Sequence, residues 1–233
     1  MCGRFVRYSS PETFAELFGA RGAMNLAPSY NVAPSQSLLV ARTGEGGGRK
    51  LALLHWGLIP SSSKEPKTPY STINARAETV DTKPTYRHAI RHRRCLIGSD
   101  GYYEWKKLER TKQPYFIRLK GAAPFAFAGL WEHWERGEER IDSCSIIVTD
   151  AAEALRDIHD RMPVILLSEH YDTWMDPGLT DPVRLKPLLA PYPSELMEAY
   201  PVSTRVNSPK NNHADLIVRM PLPLTGYRPV TPR

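Results

Sequence analysis

Cysteine is scarce in this chain. Cys2, Cys95 and Cys144 form an odd set of three without a CxxC pair, which argues against a disulfide framework and gives no zinc-ligand spacing. The expected setting is a reducing, cytoplasmic one. No apolar run approaches the ~20 residues that a membrane helix needs, so no membrane association is expected. Arg4, Arg7 and Glu12 interrupt the start of the chain, where a secretory leader would carry its apolar segment. His55, His88, His92, His133, His170 and His213 show no ligand spacing, and neither a metal nor another cofactor is expected. No internal repeat is evident. The run Gly44-Glu45-Gly46-Gly47-Gly48 lacks the Gly-Lys-Ser/Thr ending of a phosphate loop and reads as a hairpin tip.

What is present fits one domain of generous size. The 233 residues are 41% hydrophobic and 24% charged, as in ordinary globular proteins. Lysine and arginine number 31 against 25 acids, a net charge of +6, which permits nucleic-acid binding without requiring it. Arg87, His88, Arg91, His92, Arg93 and Arg94 crowd together before Cys95; such a run is either a solvated face or a phosphate-contacting strip.

Taken in order, Ser10-Pro11-Glu12 reads as N-cap, first helical residue and first-turn acid, with Phe14, Leu17 and Phe18 on one face and Gly19 as C-cap. Residues 20–36 read as extended and irregular, and residues 60–70 as a mobile surface loop. Ser37 to Ala41, Lys50 to Trp56, Arg94 to Ile97, Tyr102 to Trp105, Tyr115 to Leu119, Phe125 to Trp131 and Cys144 to Thr149 read as strands. Asp150 and Glu153 form a capping-box pattern, which predicts a helix that carries Leu155 and Ile158 inward and delivers His159 at its end. Ser168 is placed as the cap of a helix carrying Tyr171, Trp174 and Met175, and Pro187 makes the following helix short or kinked. Dispersed strands with separate helices give an α+β class, mainly antiparallel. The domain is set at 1–220, and 221–233 is a loose, proline-rich C-terminal tail.

The first residues bear the most pointed chemistry. Initiator methionine is generally trimmed before a small residue, and trimming before Cys2 leaves an α-amine beside its own thiol. An α-amine titrates near pH ~8, so a useful fraction is neutral and nucleophilic in cells. It can form a Schiff base with an aldehyde, and the thiol can close on that imine to give a thiazolidine. The alternative is a cysteine of no consequence on a frayed end.

Such chemistry needs proton-transfer groups and donors. Glu104 lies among aromatics in Asp100-Gly101-Tyr102-Tyr103-Glu104-Trp105, where desolvation would raise its pKa; otherwise it is an edge-strand surface acid. His159 is either an acid–base group at a helix end or a packing histidine. Asn74 and Arg76, two apart, face the same side of a strand and set an amide beside a guanidinium; the alternative is a plain polar face.

Seven motifs occur in order: Met1-Cys2-Gly3-Arg4-Phe5, Tyr30-Asn31-Val32-Ala33-Pro34, Trp56-Gly57-Leu58-Ile59-Pro60, Ile73-Asn74-Ala75-Arg76-Ala77-Glu78-Thr79, Asp100 to Trp105, Ile158-His159-Asp160-Arg161-Met162-Pro163, and Val206-Asn207-Ser208-Pro209-Lys210-Asn211. In them the chain resembles the SRAP family (SOS-response-associated peptidase), whose members process abasic sites in DNA. The resemblance runs from residue 2 to about residue 220. It implies a single α+β domain with an open barrel-like core of antiparallel sheets, flanking helices and a positive groove for single-stranded DNA. It further implies that an exposed Cys2 crosslinks the ring-opened abasic aldehyde as a thiazolidine and that Asn74 holds the lesion. Glu104 and His159 match the acid–base pair, Arg4, Arg76 and Arg161 match phosphate-contacting positions, and Trp105 lies beside the site. Removal of Met1 by the protein itself and an AP-lyase side reaction, by β-elimination from the imine, belong to the same expectation. So does a monomer acting on abasic single-stranded DNA.

Two departures stand out. The family usually places a tryptophan within two residues of Pro60, where this chain has Ser61-Ser62-Ser63, so base stacking is either missing or supplied elsewhere. Gly98-Ser99 replaces a more usual Pro-Ala or similar pair and is expected to loosen the backbone before Glu104. Two other functions stay open at the level of sequence: a cysteine peptidase using Cys2 with His159 as base, and a noncatalytic single-strand-binding module.

Overall fold

The computed structural model describes residues 2–44, 46–68 and 70–221. In chain order its elements are β1 (Phe5–Arg7), α1 (Pro11–Phe18), β2 (Ser29–Val32), β3 (Ser37–Thr43), β4 (Arg49–Trp56), β5 (Asn74–Arg76), α2 (Ala89–His92), β6 (Arg94–Ser99) and β7 (Gly101–Lys107). There follow β8 (Lys112–Leu119), β9 (Phe125–Arg136), β10 (Glu139–Asp150), β11 (Arg161–Pro163), β12 (Ile165–Leu166), α3 (Tyr171–Met175), α4 (Pro182–Leu185) and β13 (Met197–Pro201).

The strands make two sheets. One runs β13-β8-β7-β1-β2 and is antiparallel throughout. The other runs β11-β10-β4-β3-β6-β9-β12, with β5 added in parallel to β10. Because β9 also pairs with β10, from Glu139↔Arg136 to Ile146↔Gly129, the five strands β10, β4, β3, β6 and β9 close on themselves. The barrel-like core implied by the resemblance is thus a closed ring, and closure removes edge strands that would otherwise seek partners. Alternation on these strands sends Leu38, Val40, Leu54, Trp56, Cys95, Ile97, Phe127, Cys144, Ile146 and Val148 into one apolar core that also takes in Cys2 and Phe5. Phe5 joins the two sheets, its ring lying edge-on to Trp56 at 5.3 Å and to Phe127 at 5.6 Å. Burying one such ring stabilises the fold by about 1.5–3 kcal/mol.

Local signals explain most of the elements. Ser10 caps α1 by accepting from Thr13 N–H at 3.3 Å, Pro11 occupies the first turn, and Gly19 ends the helix in the left-handed region at φ 58°. The β3–β4 hairpin keeps the register Ser37↔His55 to Thr43↔Arg49 across the glycine-rich tip.

Four expectations are corrected. The capping-box helix at 153–159 does not form: the chain makes one 3-10 turn at Glu153–Leu155, headed by Ala152 without a side-chain cap. Asp150 is the last residue of β10 and is held in the ladder to Arg161, so it cannot serve as a cap. His159 therefore sits in a loop rather than at a helix terminus. Ser168 opens a 3-10 turn at Ser168–His170, and α3 begins only at Tyr171. Residues 20–36 contain a true strand, β2, which pairs with β1. Gly98 does not loosen the chain: it lies inside β6, opposite Ala126, and an added Cβ would come within 2.8 Å of the Phe14 ring. The proline-rich tail lies, apart from Pro221, outside the described residues.

The basic run before Cys95 is neither wholly solvated nor wholly free for phosphate. Arg94 is buried and donates to the carbonyls of Trp174, Ile90, Arg91 and Asp176, which ties α3 to α2, and Arg93 pairs with Glu132 at 2.6 Å. Among the described residues no helix is long and apolar enough to cross a membrane.

Candidate functional site

The site begins where β1 leaves the N-terminus. Phe5 pairs with Tyr102 and Val6 with Gly101, and Tyr103 N–H donates to Arg4 O at 3.0 Å. The first residues are thus drawn along β7, toward Glu104. The expectation of an exposed Cys2 is corrected: its side chain is fully buried, because β1 is tucked between β7 and β2 and carries Cys2 into the core beside Phe5 and Tyr102. Cys2 is thus packed rather than loose. Burial pushes the Cys2 thiol far above its ordinary range, and the nearby Glu104 charge pushes it the same way. A resting thiolate is therefore disfavoured.

Glu104 sits in the middle of β7, between β1 and β8, with 3% of its surface exposed. It is not an edge-strand acid. Desolvation raises its pKa, opposed by the positive field of His159. Two residues earlier on the same face of β7, Tyr102 is fully buried and its hydroxyl has no hydrogen-bond partner among the described residues. Burial, Glu104 and Cys2 together hold that phenol well above its usual pKa.

His159 is half-buried. Its Nδ1 accepts from Arg161 N–H at 3.0 Å and lies 2.8 Å from an Asp160 carboxylate oxygen. The first contact needs a lone pair on Nδ1 and the second a proton there, so the tautomer decides which of the two is made.

Asn74 and Arg76 stand on β5, on the side opposite the buried Ala75. Tyr86, its phenol pushed up to about 12 by burial, donates to Asn74 O at 3.0 Å and fixes the backbone there. Both polar atoms of the Asn74 side chain are buried without a partner among the described residues. Asn74 lines a groove of about 650 Å³ whose rim carries Arg76 and Lys83. An unpaired buried amide costs about 1–3 kcal/mol, a penalty that a polar ligand in the groove would remove.

The other cations are differently employed. Arg161 pairs with Glu78 and lies 3.4 Å from Asp150, and Arg76 is exposed. Arg4 donates from Nη1 to Asn31 Oδ1 and Val206 O, each at 2.8 Å, and from Nη2 to Asn207 O at 3.2 Å. Asn31 is 2% exposed and its amide reaches the carbonyls of Val206, Ser208 and Asn211. Trp105 is half-buried and donates from its indole to Asn207 Oδ1 at 2.8 Å. The Tyr30-Asn31 and Val206-to-Asn211 motifs thus form one latch around the N-terminal strand. The motifs that contain Asn31, Tyr102 and Asn207 carry no sequence signal for these roles beyond the one amide side chain within Tyr30-Asn31-Val32-Ala33-Pro34. Ser61 to Ser63 are pinned to β9: Ser61 N–H donates to Glu132 at 3.2 Å and the Trp134 indole donates to Ser63 O at 2.9 Å. Among the described residues no group of His, Cys, Asp and Glu is arranged to hold a metal ion.

Comparison with known proteins shows which family the chain resembles. The family model described as SOS response associated peptidase (SRAP) matches residues 1–209. The chain is 47% identical over 222 residues to the abasic site processing protein YoaM of Bacillus subtilis, covering 93% of this chain and 97% of that one. It is 31% identical over 257 residues to the abasic site processing protein HMCES of Xenopus tropicalis, covering 91% and 76% respectively. A crystal structure of a protein from Bacteroides thetaiotaomicron superposes with a TM-score of 0.83 at 27% identity, over 94% of this chain and 100% of that one.

Proposed function

This chain belongs to the SRAP family, and from that premise we propose that it processes abasic sites in DNA by trapping the lesion's aldehyde on the amine and thiol of Cys2. The observation that carries the reading is the placement of Glu104: a buried acid with a raised pKa, on the strand that receives the N-terminus, within the fields of both Cys2 and His159.

The chemistry follows from these groups. Removal of Met1 frees the α-amine of Cys2. In its neutral form this amine attacks the aldehyde carbon of the ring-opened sugar, and the carbinolamine loses water to give an imine. Glu104, whose hold on a proton is strengthened by burial, is placed to donate the proton that lets the hydroxyl leave, and as a carboxylate it can take a proton back. The thiol then adds across the C=N bond, its sulfur to carbon and its proton to nitrogen, and a five-membered thiazolidine closes. The net change is loss of one water. A protonated thiol suits this last step, since the imine supplies the electrophile and the thiol proton is consumed in it. His159 exchanges protons at the ring oxygen of the sugar, while the unpaired Asn74 amide holds a sugar hydroxyl or phosphate oxygen. Arg76 and Lys83 contact backbone phosphates, joined by Arg161 when DNA displaces Glu78; Arg4 keeps the N-terminal strand in register. Phosphate contacts bind without sequence preference and weaken with salt.

A cysteine peptidase needs a thiolate paired with a base and open to substrate; the buried, protonated Cys2 speaks against it. The test is to incubate the protein with single-stranded DNA carrying one abasic site and, separately, with the intact strand, then resolve both under denaturing conditions. A covalent band with abasic DNA alone is expected. Equal noncovalent binding of both strands and no covalent band would leave only a single-strand-binding module.

A further inference from the structure

Tyr102 stands on β7, opposite Phe5 of β1 on one side and Ile117 of β8 on the other, and is fully buried. Its ring lies edge-on to Phe127 at 6.1 Å, in the same apolar core as Phe5 and Cys2. The phenol oxygen finds no hydrogen-bond partner among the described residues. A phenylalanine would fill this space without stranding a polar group, so the hydroxyl needs a reason. Its neighbours supply one. Glu104 lies two residues on, on the same strand face, and the charges of Glu104 and Cys2 both act on the phenol and tighten its hold on its proton. Cys2 is the neighbour whose chemistry changes during the reaction. Its sulfur already receives the Arg4 backbone N–H. A neutral thiol is a weak acceptor, whereas a sulfur that gains negative charge is a strong one.

We propose that the Tyr102 hydroxyl donates a hydrogen bond to the Cys2 sulfur while the thiazolidine ring closes, stabilising the charge that builds on sulfur as its proton departs. In that step the sulfur–carbon bond forms, the C=N double bond becomes single, and the thiol proton passes to nitrogen. Tyr102 keeps its own proton throughout. The inference rests on the abasic-site reading and deepens it by naming a donor for the second bond to the lesion. It also accounts for the depth at which Cys2 lies. Burial alone would slow attack by sulfur, because charge is disfavoured there, and a fixed donor offsets that penalty where no solvent reaches.

The experiment compares wild type with Tyr102→Phe, which keeps the ring and removes the oxygen, on a single strand carrying one abasic site. The imine has two exits, closure to the heat-stable adduct and β-elimination that cleaves the strand. The ratio of adduct to cleaved strand therefore reads closure, whichever step is slowest overall. Tyr102→Phe should lower that ratio about 10- to 100-fold, as expected for loss of a hydrogen bond to a charged group. Imine captured by borohydride should form within about twofold of the wild-type rate. The melting temperature should hold or rise, since the lost hydroxyl had no partner among the described residues. An unchanged ratio overturns the inference, as does an equal loss of captured imine and of adduct, which would mark a general distortion of the site. A wild type that gives no covalent band with the abasic strand overturns the abasic-site reading and this inference with it.

Discussion

The Arg4 guanidinium donates to the side-chain oxygen of Asn31 at 2.8 Å, and the two side chains together hold four backbone carbonyls of residues 206–211. This couples the strand that carries Cys2 to a loop two hundred residues away in sequence. Asn31→Ala leaves buried carbonyls unpaired and should destabilise the fold by about 2–4 kcal/mol, read as a shift in the chemical denaturation midpoint. A change below about 0.5 kcal/mol would mean that the latch does not bear on stability.

Arginines at this site should separate by role. Arg76→Ala should leave the melting temperature unchanged and lower the slope of log affinity for single-stranded DNA against log salt by about 1. Arg4→Lys loses the geometry that serves three acceptors, and should lower the melting temperature while the salt slope stays put. Identical behaviour of the two variants would refute this division.

Glu104 makes a pH-dependent prediction for stability. Its carboxyl is raised above the unfolded value, so the folded state binds the proton more tightly. Stability from this group is greatest below the unfolded pKa and falls as pH rises through the folded pKa. Glu104→Gln cannot titrate, so its stability relative to wild type should improve as the pH rises from the unfolded pKa through the folded one and level off above it, within a series run from pH 4 to 8. Thermal melts across that range read the difference; a gap that is constant or narrows with pH would show that the raised carboxyl is not coupled to folding. The same variant should form adduct about 10²-fold or more slowly, as expected for loss of a positioned acid.

Cys2→Ser keeps the amine and removes the sulfur. It should still form an imine with abasic DNA, reducible to a permanent bond by borohydride, and should cleave the strand by β-elimination without leaving a heat-stable adduct. A heat-stable adduct formed without borohydride would show that the thiol is dispensable.

Gly98→Ala places a methyl group within 2.8–3.0 Å of three atoms of the Phe14 ring. Overpacking of this kind costs about 1–3 kcal/mol, observable in equilibrium unfolding. A neutral result would mean that α1 moves aside freely.

Period-two alternation made most strands legible, and Ser10, Pro11 and Gly19 marked α1 because each acts on its immediate neighbours. The helix expected at 153–159 failed for a reason no local pattern reveals: Asp150 was already committed to the ladder with Arg161. Cys2, Asn74, Glu104 and His159 were legible as chemical types in ordered motifs. The burial of Cys2 was not, since it follows from β1 being inserted between β7 and β2, a pairing across about a hundred residues. Asn31 shows the same limit, because its acceptors are backbone carbonyls some 175 to 180 residues away and carry no side-chain signature.

The central claim is that one residue, Cys2, supplies both the amine and the sulfur. Mass analysis of the crosslinked protein after nuclease and protease digestion tests it most directly. The account predicts an N-terminal peptide that begins at Cys2, lacks Met1, and carries the sugar remnant minus one water on residue 2. A crosslinked protein that retains Met1, or a remnant found on a lysine, would contradict it.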